Sequence, residues 1–468
     1  MAEDKKSKYA YERESSWKKV TEPERRKIDD FAADYKKFLN ACKTERQCVT
    51  YLEKEARSLG FKDLADAKPV PGERILFKNE NKNIVLVILG KQPPAKGINF
   101  ISSHLDSPRL DLKPMPLIEE NNLAMLKTHY YGGIKKYHWV NIPLSLHGTI
   151  VRKDGSAVDI SIGEGEDDPV FTITDLMIHL AQKAQGDKKL LEGIEGENLT
   201  LLVGSIPVDD KDIKEKVKEM ALRKLNEMYG IIEEDFVSAE IEVVPALKAK
   251  DVGFDRSMIG AYGHDDRACS YPAYRSIVDV EGVPEKTLLV FLVDKEEIGS
   301  YGISGIRSRF FQNTLTRIHE VYGSECRQSD LRDIMENSCC ISGDVGGVVD
   351  PMYPQVNDMY NAAKLGYGII LEKYTGSRGK SGASDASAEY MGKVRKIFND
   401  NGVVWQPGTL GKVDEGGGGT VAAYIADLGI KVVDCGVGVL GMHSPYEIIC
   451  KADHYQTYKA YIAFLKDA

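Results

Sequence analysis

The stretch Thr287-Leu288-Leu289-Val290-Phe291-Leu292-Val293-Asp294-Lys295-Glu296-Glu297-Ile298-Gly299-Ser300 decides the fold. Its first seven residues are uncharged and apolar on both alternating sets, as in a strand covered on both faces in an α/β sheet. The sequence then turns abruptly polar, which places Glu296 and Glu297 just past the carboxyl end of the strand, where open α/β sheets bind their ligands. Similar short apolar runs lie at 83–89, 98–102, 339–341 and 431–433, the later ones separated by helical patterns. The alternation predicts an α/β fold with an open, mostly parallel sheet flanked by helices.

Residues 22–59 read as charged amphipathic helices that stop at Gly60 and pack on the outside. The middle third has a different texture. Residues 139–151 and 157–162 alternate apolar and polar around Asp154-Gly155-Ser156, as half-buried antiparallel strands do. A helix is predicted over 212–228, closed by Gly230, and a last strand over 239–246. The α/β domain is therefore predicted in two parts, 1–112 and 253–468, interrupted by a β-rich insert at 113–252.

Composition narrows the class. At 468 residues, 42% hydrophobic and 28% charged, the chain can bury a substantial core and does not resemble a disordered or collagenous protein. Its net charge of −9 gives no electrostatic footprint for nucleic acid. The apolar runs are too short to span a bilayer, so no membrane partner is expected. The first residues carry charges rather than a secretory apolar stretch, and the eight cysteines show no C-x-x-C or zinc-finger spacing, so a reducing cytoplasm with buried free thiols is expected.

Ligand-type side chains fall at strand ends. His104 follows the run ending Ser102-Ser103, Glu296-Glu297 follow 287–293, Asp344 follows Cys340-Ile341, and His443 follows the run through 433–440; Asp265-Asp266 precede a helical stretch. In a parallel sheet such positions converge at one edge. Two imidazoles with several carboxylates suit zinc, with cobalt or manganese as substitutes, and a carboxylate shared by two ions offsets their repulsion. Singly these fragments are weak: His104-Leu105-Asp106 also reads as a polar turn, Glu296-Glu297 as a surface doublet, and His319 and His454 as ordinary helix or core histidines.

Five blocks together resemble the aspartyl aminopeptidase and aminopeptidase I family of dizinc metallopeptidases. They are Ser103-His104-Leu105-Asp106-Ser107-Pro108, Asp265-Asp266-Arg267, Asp294 through Ser300, Ser342-Gly343-Asp344 and Gly441-Met442-His443-Ser444, in the family's order over nearly the whole chain. The resemblance implies a zinc exopeptidase type of fold with an inserted dimerisation domain, acting on peptide substrates with a free N-terminus. It implies two zinc ions per subunit, His104 and Asp344 on one, Glu297 and His443 on the other, and Asp265 bridging. A bridging water would be activated by Glu296 as general base, Asp106 would orient His104, and the Asp265-Asp266 peptide would be cis. His179 would reach from the insert into the active site of a neighbouring subunit, within dimers assembled into a dodecamer.

Lys373 matches a substrate-contacting lysine of the family, and Lys380 stands where aspartyl aminopeptidases carry a substrate tyrosine. Gly347 replaces their histidine three residues after the ligand matching Asp344, which points to the aminopeptidase I branch and its neutral N-terminal residues. The cluster Gly416-Gly417-Gly418-Gly419 lacks the Lys-Ser/Thr of a phosphate loop and reads as backbone approaching substrate before a helix at Thr420. Two alternatives stand beside this reading: another dimetal amidohydrolase, deacylase or carboxypeptidase, and a noncatalytic scaffold that has kept the fold.

Overall fold

The computed structural model describes residues 7, 9–18 and 20–468. Strand Thr287–Val293 lies inside a nine-stranded sheet that continues from it through Ile98–His104, Cys339–Ser342 and Lys431–Gly436 in that order. These four strands run parallel, with Val293 level with His104 and Ser342 level with Ser102 and Asp434, so their carboxyl ends share one rim. The sheet is mixed. Asn83–Ile88 pairs antiparallel with Thr287–Val293 on one side, and Ile369–Glu372 antiparallel with Lys431–Gly436 on the other.

Both faces of the central strands are covered, because successive side chains point to opposite sides. Leu288, Val290 and Leu292 enter one core, while Leu289, Phe291 and Val293 enter the other. The first core is closed by helices including His264–Val278, Ala388–Asp400 and Lys451–Asp467, and the second by Phe310–Val321 and Val421–Asp427. The charged N-terminal segment folds as Glu22–Ala41 and Glu45–Ser58. Their apolar faces pack inward, where Ile28, Tyr35, Phe38, Val49 and Leu52 are fully buried, all but Ile28 in the first core.

A second sheet of six antiparallel strands is built from residues 109–245, in the order Ala157–Ile162, Leu144–Val151, Ala239–Pro245, Arg109–Glu120, Leu123–Tyr131, Thr200–Gly204. It has a core of its own around Trp139, Leu144, Ile150, Leu201 and Val243. The helix expected at 212–228 forms over Lys216–Tyr229 and ends on Gly230 at φ 67°, a left-handed turn that glycine adopts without strain. A third, five-stranded sheet of short strands orders Lys250–Val252, Met258–Ala261, Glu447–Cys450, Gly438–Leu440 and Gly346–Gly347. It stitches together the segments that carry Asp265, His443 and Asp344. All eight cysteines are free, and all but Cys326 are buried.

Candidate metal centre

Each of the five sequence blocks delivers its side chain to the shared rim. His104 is the last residue of its strand, and Asp344 follows Cys339–Ser342 by two residues. Glu296 and Glu297 open a short 3-10 turn, Glu296–Ile298, beyond Val293. Asp265 enters from the start of the helix His264–Val278, where the Asp265-Asp266 peptide is cis. His443 sits at φ 64° in the loop between Gly438–Leu440 and Glu447–Cys450.

Asp265 is the centre of the arrangement. Its Oδ1 lies 3.3 Å from His104 Nε2 and its Oδ2 lies 3.1 Å from His443 Nε2. Three overlapping donor groups result, each with its atoms within 4.8 Å of one another: His104, Asp265 and Asp344; His104, Glu296 and Glu297; and Asp265, Glu297 and His443. The second ring nitrogen of each histidine is engaged by a backbone carbonyl: Nδ1 is 2.9 Å from Asp106 O in His104 and 2.8 Å from Gly133 O in His443. That leaves both Nε2 atoms facing the carboxylates, the orientation a metal-binding imidazole needs.

Asp106 does more than neighbour His104, from which its carboxylate is 3.4 Å away. The same carboxylate accepts the backbone N–H groups of Glu296 and Glu297, both at 3.2 Å, and the Tyr131 hydroxyl at 2.8 Å. Around the rim, the Ser103 hydroxyl donates to Asp266 Oδ2 at 2.5 Å, and the Ser107 hydroxyl to Asp265 O at 2.7 Å.

Two further carboxylates were not legible as site residues. Buried Glu447 accepts the backbone N–H of His443 at 2.8 Å on one oxygen and that of Asp265 at 3.1 Å on the other. The only signal in the sequence is an acid opening the otherwise apolar strand Glu447–Cys450. Glu372 lines the cleft, whereas Lys373, next to it, does not. Lys373 Nζ instead donates to Asp385 and to Ala386 O, each at 3.0 Å. Lys380 does line the cleft; its ammonium pairs with Asp385 at 3.2 Å and lies 4.0 Å from the centre of the Tyr374 ring. His179 stands exposed on the helix Ile178–Ala184, away from the cleft of its own chain.

The electrostatics are those of anions crowded together. Burial pushes the Glu296 carboxyl up to about 7, with Asp106 and Asp265 adding to the rise and His104 opposing it. Burial and the neighbouring acids hold Glu297 and Asp344 well above the usual carboxylate range. Burial opposes a charged His443, yet Asp265 and Glu297 raise it to about 10. Glu297 Oε1 is buried without a hydrogen-bond partner. Imidazole nitrogens and carboxylate oxygens aimed at one another, with a buried oxygen left unsatisfied, fit a site for zinc-like divalent cations.

The cleft above this centre has a volume of about 470 Å³ and is walled in part by Gly416 through Gly419. A Cβ at Gly417 would lie 1.9 Å from Gly376 O, so only glycine allows these two backbones to meet. The helix that follows, Val421–Asp427, is capped by Thr420, whose hydroxyl accepts the Ala422 N–H.

An α/β sheet that gathers two histidines and several acids at the carboxyl rim of its parallel strands defines a metal-dependent hydrolase class of protein. The chain belongs to the aminopeptidase I zinc metalloprotease (M18) family, whose model matches residues 38–465, and it is a metalloaminopeptidase. The probable M18 family aminopeptidase 1 of Clostridium acetobutylicum is 47% identical over 97% of this chain and 98% of its own. The crystal structure of an M18 family aminopeptidase from Thermotoga maritima superposes with a TM-score of 0.94 at 46% identity, covering 98% of this chain and 100% of the other. The mApe1 dodecamer of yeast shares the fold at a TM-score of 0.75 and 20% identity, covering 94% and 97%.

Proposed function

We propose that the chain holds two zinc ions, with cobalt or manganese as substitutes, and removes single residues from the free N-terminus of peptides. His104 and Asp344 hold one ion, Glu297 and His443 the other, and Asp265 is shared. The observation that carries this reading is the Asp265 carboxylate, whose two oxygens each face a different imidazole. When bound, the two cations polarise the scissile carbonyl and make a shared water acidic enough to lose a proton near neutral pH.

The chain supplies the rest. Glu296 takes the proton from the attacking water and passes it to the leaving amine, a role suited to a carboxyl pushed up to about 7 by burial. Asp106 fixes the backbone of Glu296 and Glu297 together, so base and ligand keep one relative position. Glu447 does the same for Asp265 and His443. Lys380 is the lysine placed to meet substrate, while Lys373 acts through Asp385.

Residues 113–252 serve as the dimerisation insert between catalytic parts 1–112 and 253–468. Met177, Ile178 and Leu180, at 59%, 80% and 63% exposure around His179, make an apolar face that a second subunit would cover, bringing His179 to the neighbouring cleft. The mApe1 dodecamer supports a closed homo-oligomer, and the free cysteines support a reducing cytoplasm. Glu296→Gln should keep its metal content by elemental analysis and lose about 10²- to 10⁴-fold in turnover of aminoacyl anilides. Unchanged turnover, or hydrolysis of N-acyl amino acids and N-blocked peptides instead, would remove the assignment.

A further inference from the structure

Glu372 ends the strand Ile369–Glu372, which pairs antiparallel with Lys431–Gly436 and sets Glu372 opposite Asp434. Neighbouring residues of an extended chain point to opposite sides, so Glu372 faces the cleft while Lys373 turns to Asp385. No hydrogen bond or ion pair of the Glu372 carboxylate is found among the described residues, and the charged group that bears on it is another acid, Asp434. Its Oε1 rests against backbone, since a Cβ on Gly346 or on Gly408 would approach it to 3.3 and 3.4 Å. Gly346 is two residues beyond Asp344, about 7 Å of extended chain. A carboxyl without a partner therefore lines the same cleft as Asp265, Asp344 and His443.

No ion pair links Glu372 to the cations that line the same cleft among the described residues. Lys380 is held by Asp385 and Tyr374, and Arg378 and Lys412 are exposed on its loops. The same cleft is lined by Val345, Leu410 and Met442, whose side chains carry no group that needs a hydrogen bond. The cleft thus offers methylene surface together with a carboxyl that has no partner and that a cation can ionise, which matches a long aliphatic stem with a charged tip.

We propose that Glu372 selects substrates whose N-terminal residue is lysine or arginine, the stem lying on Val345, Leu410 and Met442 and the cationic head on the Glu372 carboxylate. This rests on the aminopeptidase reading above and changes its expected preference from neutral to basic residues. Burial, with Asp434 adding, pushes the Glu372 carboxyl up to about 8, so an arriving cation ionises it and binding releases a proton. N-terminal aspartate and glutamate are disfavoured by the same group.

The test compares metal-loaded wild type with Glu372→Gln, close in shape, and Glu372→Lys, on lysyl, arginyl, leucyl and glutamyl anilides. Wild type should favour lysyl and arginyl over leucyl in kcat/KM. Glu372→Gln should lower the lysyl-to-leucyl ratio about 10- to 100-fold, chiefly through KM, and Glu372→Lys should raise the glutamyl-to-lysyl ratio. Calorimetric titration gives a readout independent of turnover: free lysine should bind wild type more tightly than norleucine, which has the stem without the charge, and lose that advantage in Glu372→Gln. Leucyl turnover equal to or above lysyl in wild type, or a ratio that moves less than twofold in Glu372→Gln, overturns the proposal and leaves the aminopeptidase reading intact. Absence of turnover on every anilide, with lysine still preferred over norleucine, would overturn the reading of the reaction and sustain the role of Glu372.

Discussion

Replacing Arg109 with methionine should cost the protein about 3 to 5 kcal/mol of stability, the usual loss when one partner of a buried ion cluster is removed. The guanidinium is almost inaccessible and touches three acids: Asp111 at 2.9 Å, Glu242 at 3.2 Å and Glu45 at 3.5 Å. It also lies 3.9 Å from the centre of the Tyr131 ring. Burial opposes ionisation of Glu45, yet Arg109 and Lys82 hold it well below the usual carboxylate range. Arg109→Met leaves the fully buried Glu45 carboxylate with Lys82 alone, at 3.2 Å. Glu45 belongs to the helix Glu45–Ser58 against the large sheet, while Arg109 and Glu242 belong to the six-stranded sheet, so the cluster also fastens the two together. If all 468 residues melt as one unit, the unfolding entropy is about 1 kcal/mol per K and Tm falls by about 3 to 5 °C. If residues 109–245 melt separately, that entropy is about 0.3 kcal/mol per K and their own transition falls by about 10 to 17 °C. Calorimetry resolves the two cases, and circular dichroism in urea gives the free-energy change. Adding Glu45→Gln to Arg109→Met should recover part of the loss, because Lys82 keeps Glu240 at 3.2 Å. A Tm within 1 °C of wild type, with no recovery in the double variant, would refute the claim that the buried members of this cluster depend on one another.

Asp106→Asn, which turns one of the acceptors facing Glu296 N, Glu297 N and Tyr131 into a donor, should lower kcat and metal affinity about 10- to 100-fold, read by anilide turnover and chelator titration. Metal loading of the stripped protein at pH 7 should release protons, because Glu297 and Asp344 are held well above the usual carboxylate range until a cation arrives; calorimetry in buffers of different ionisation enthalpy measures the number, and a heat independent of buffer would contradict it. The same loading should raise Tm, by an amount that corresponds to about 4 kcal/mol at a free metal concentration 1,000-fold above Kd. Asp251, bonded by Lys36, Lys451 and Arg256, has a carboxyl lowered to about 2, chiefly against the opposing effect of burial. Its stabilisation is complete above its ordinary value of 3.8 and is lost as pH falls toward 2, so Asp251→Asn should flatten that part of the acid-unfolding curve.

The large sheet was legible because its strands are buried on both faces and therefore read as unbroken apolar runs. Thr287–Val293 and Asn83–Ile88 have no exposed residue to interrupt them. The longest strand of the second sheet, Arg109–Glu120, was not legible. Pro114 and Pro116 break its alternation where the register slips between Leu112 and Leu117, and proline cannot donate to a ladder. The N-terminal helices were legible as amphipathic, and the face they bury carries Tyr35 and Phe38. In the site, the residues spaced like a motif were legible, and those that act through backbone atoms were not. Glu447 holds its partners by their N–H groups, which no side-chain pattern records. Lys373 and Glu372 show the limit at single-residue scale, since only the strand's pleat decides which of two adjacent charges faces the cleft.

The carbonyl of Gly133 accepts His443 Nδ1–H at 2.8 Å, and Tyr131, two residues earlier, anchors Asp106. Both come from the end of the strand Leu123–Tyr131 and the bend that follows it, so the six-stranded sheet is not an accessory added to a finished enzyme. A chain trimmed of that sheet would keep His104, Asp265, Glu297, Asp344 and His443 and lose the groups that hold His443 and Asp106 in place. The module and the active site therefore have to be inherited, engineered and exchanged as one piece.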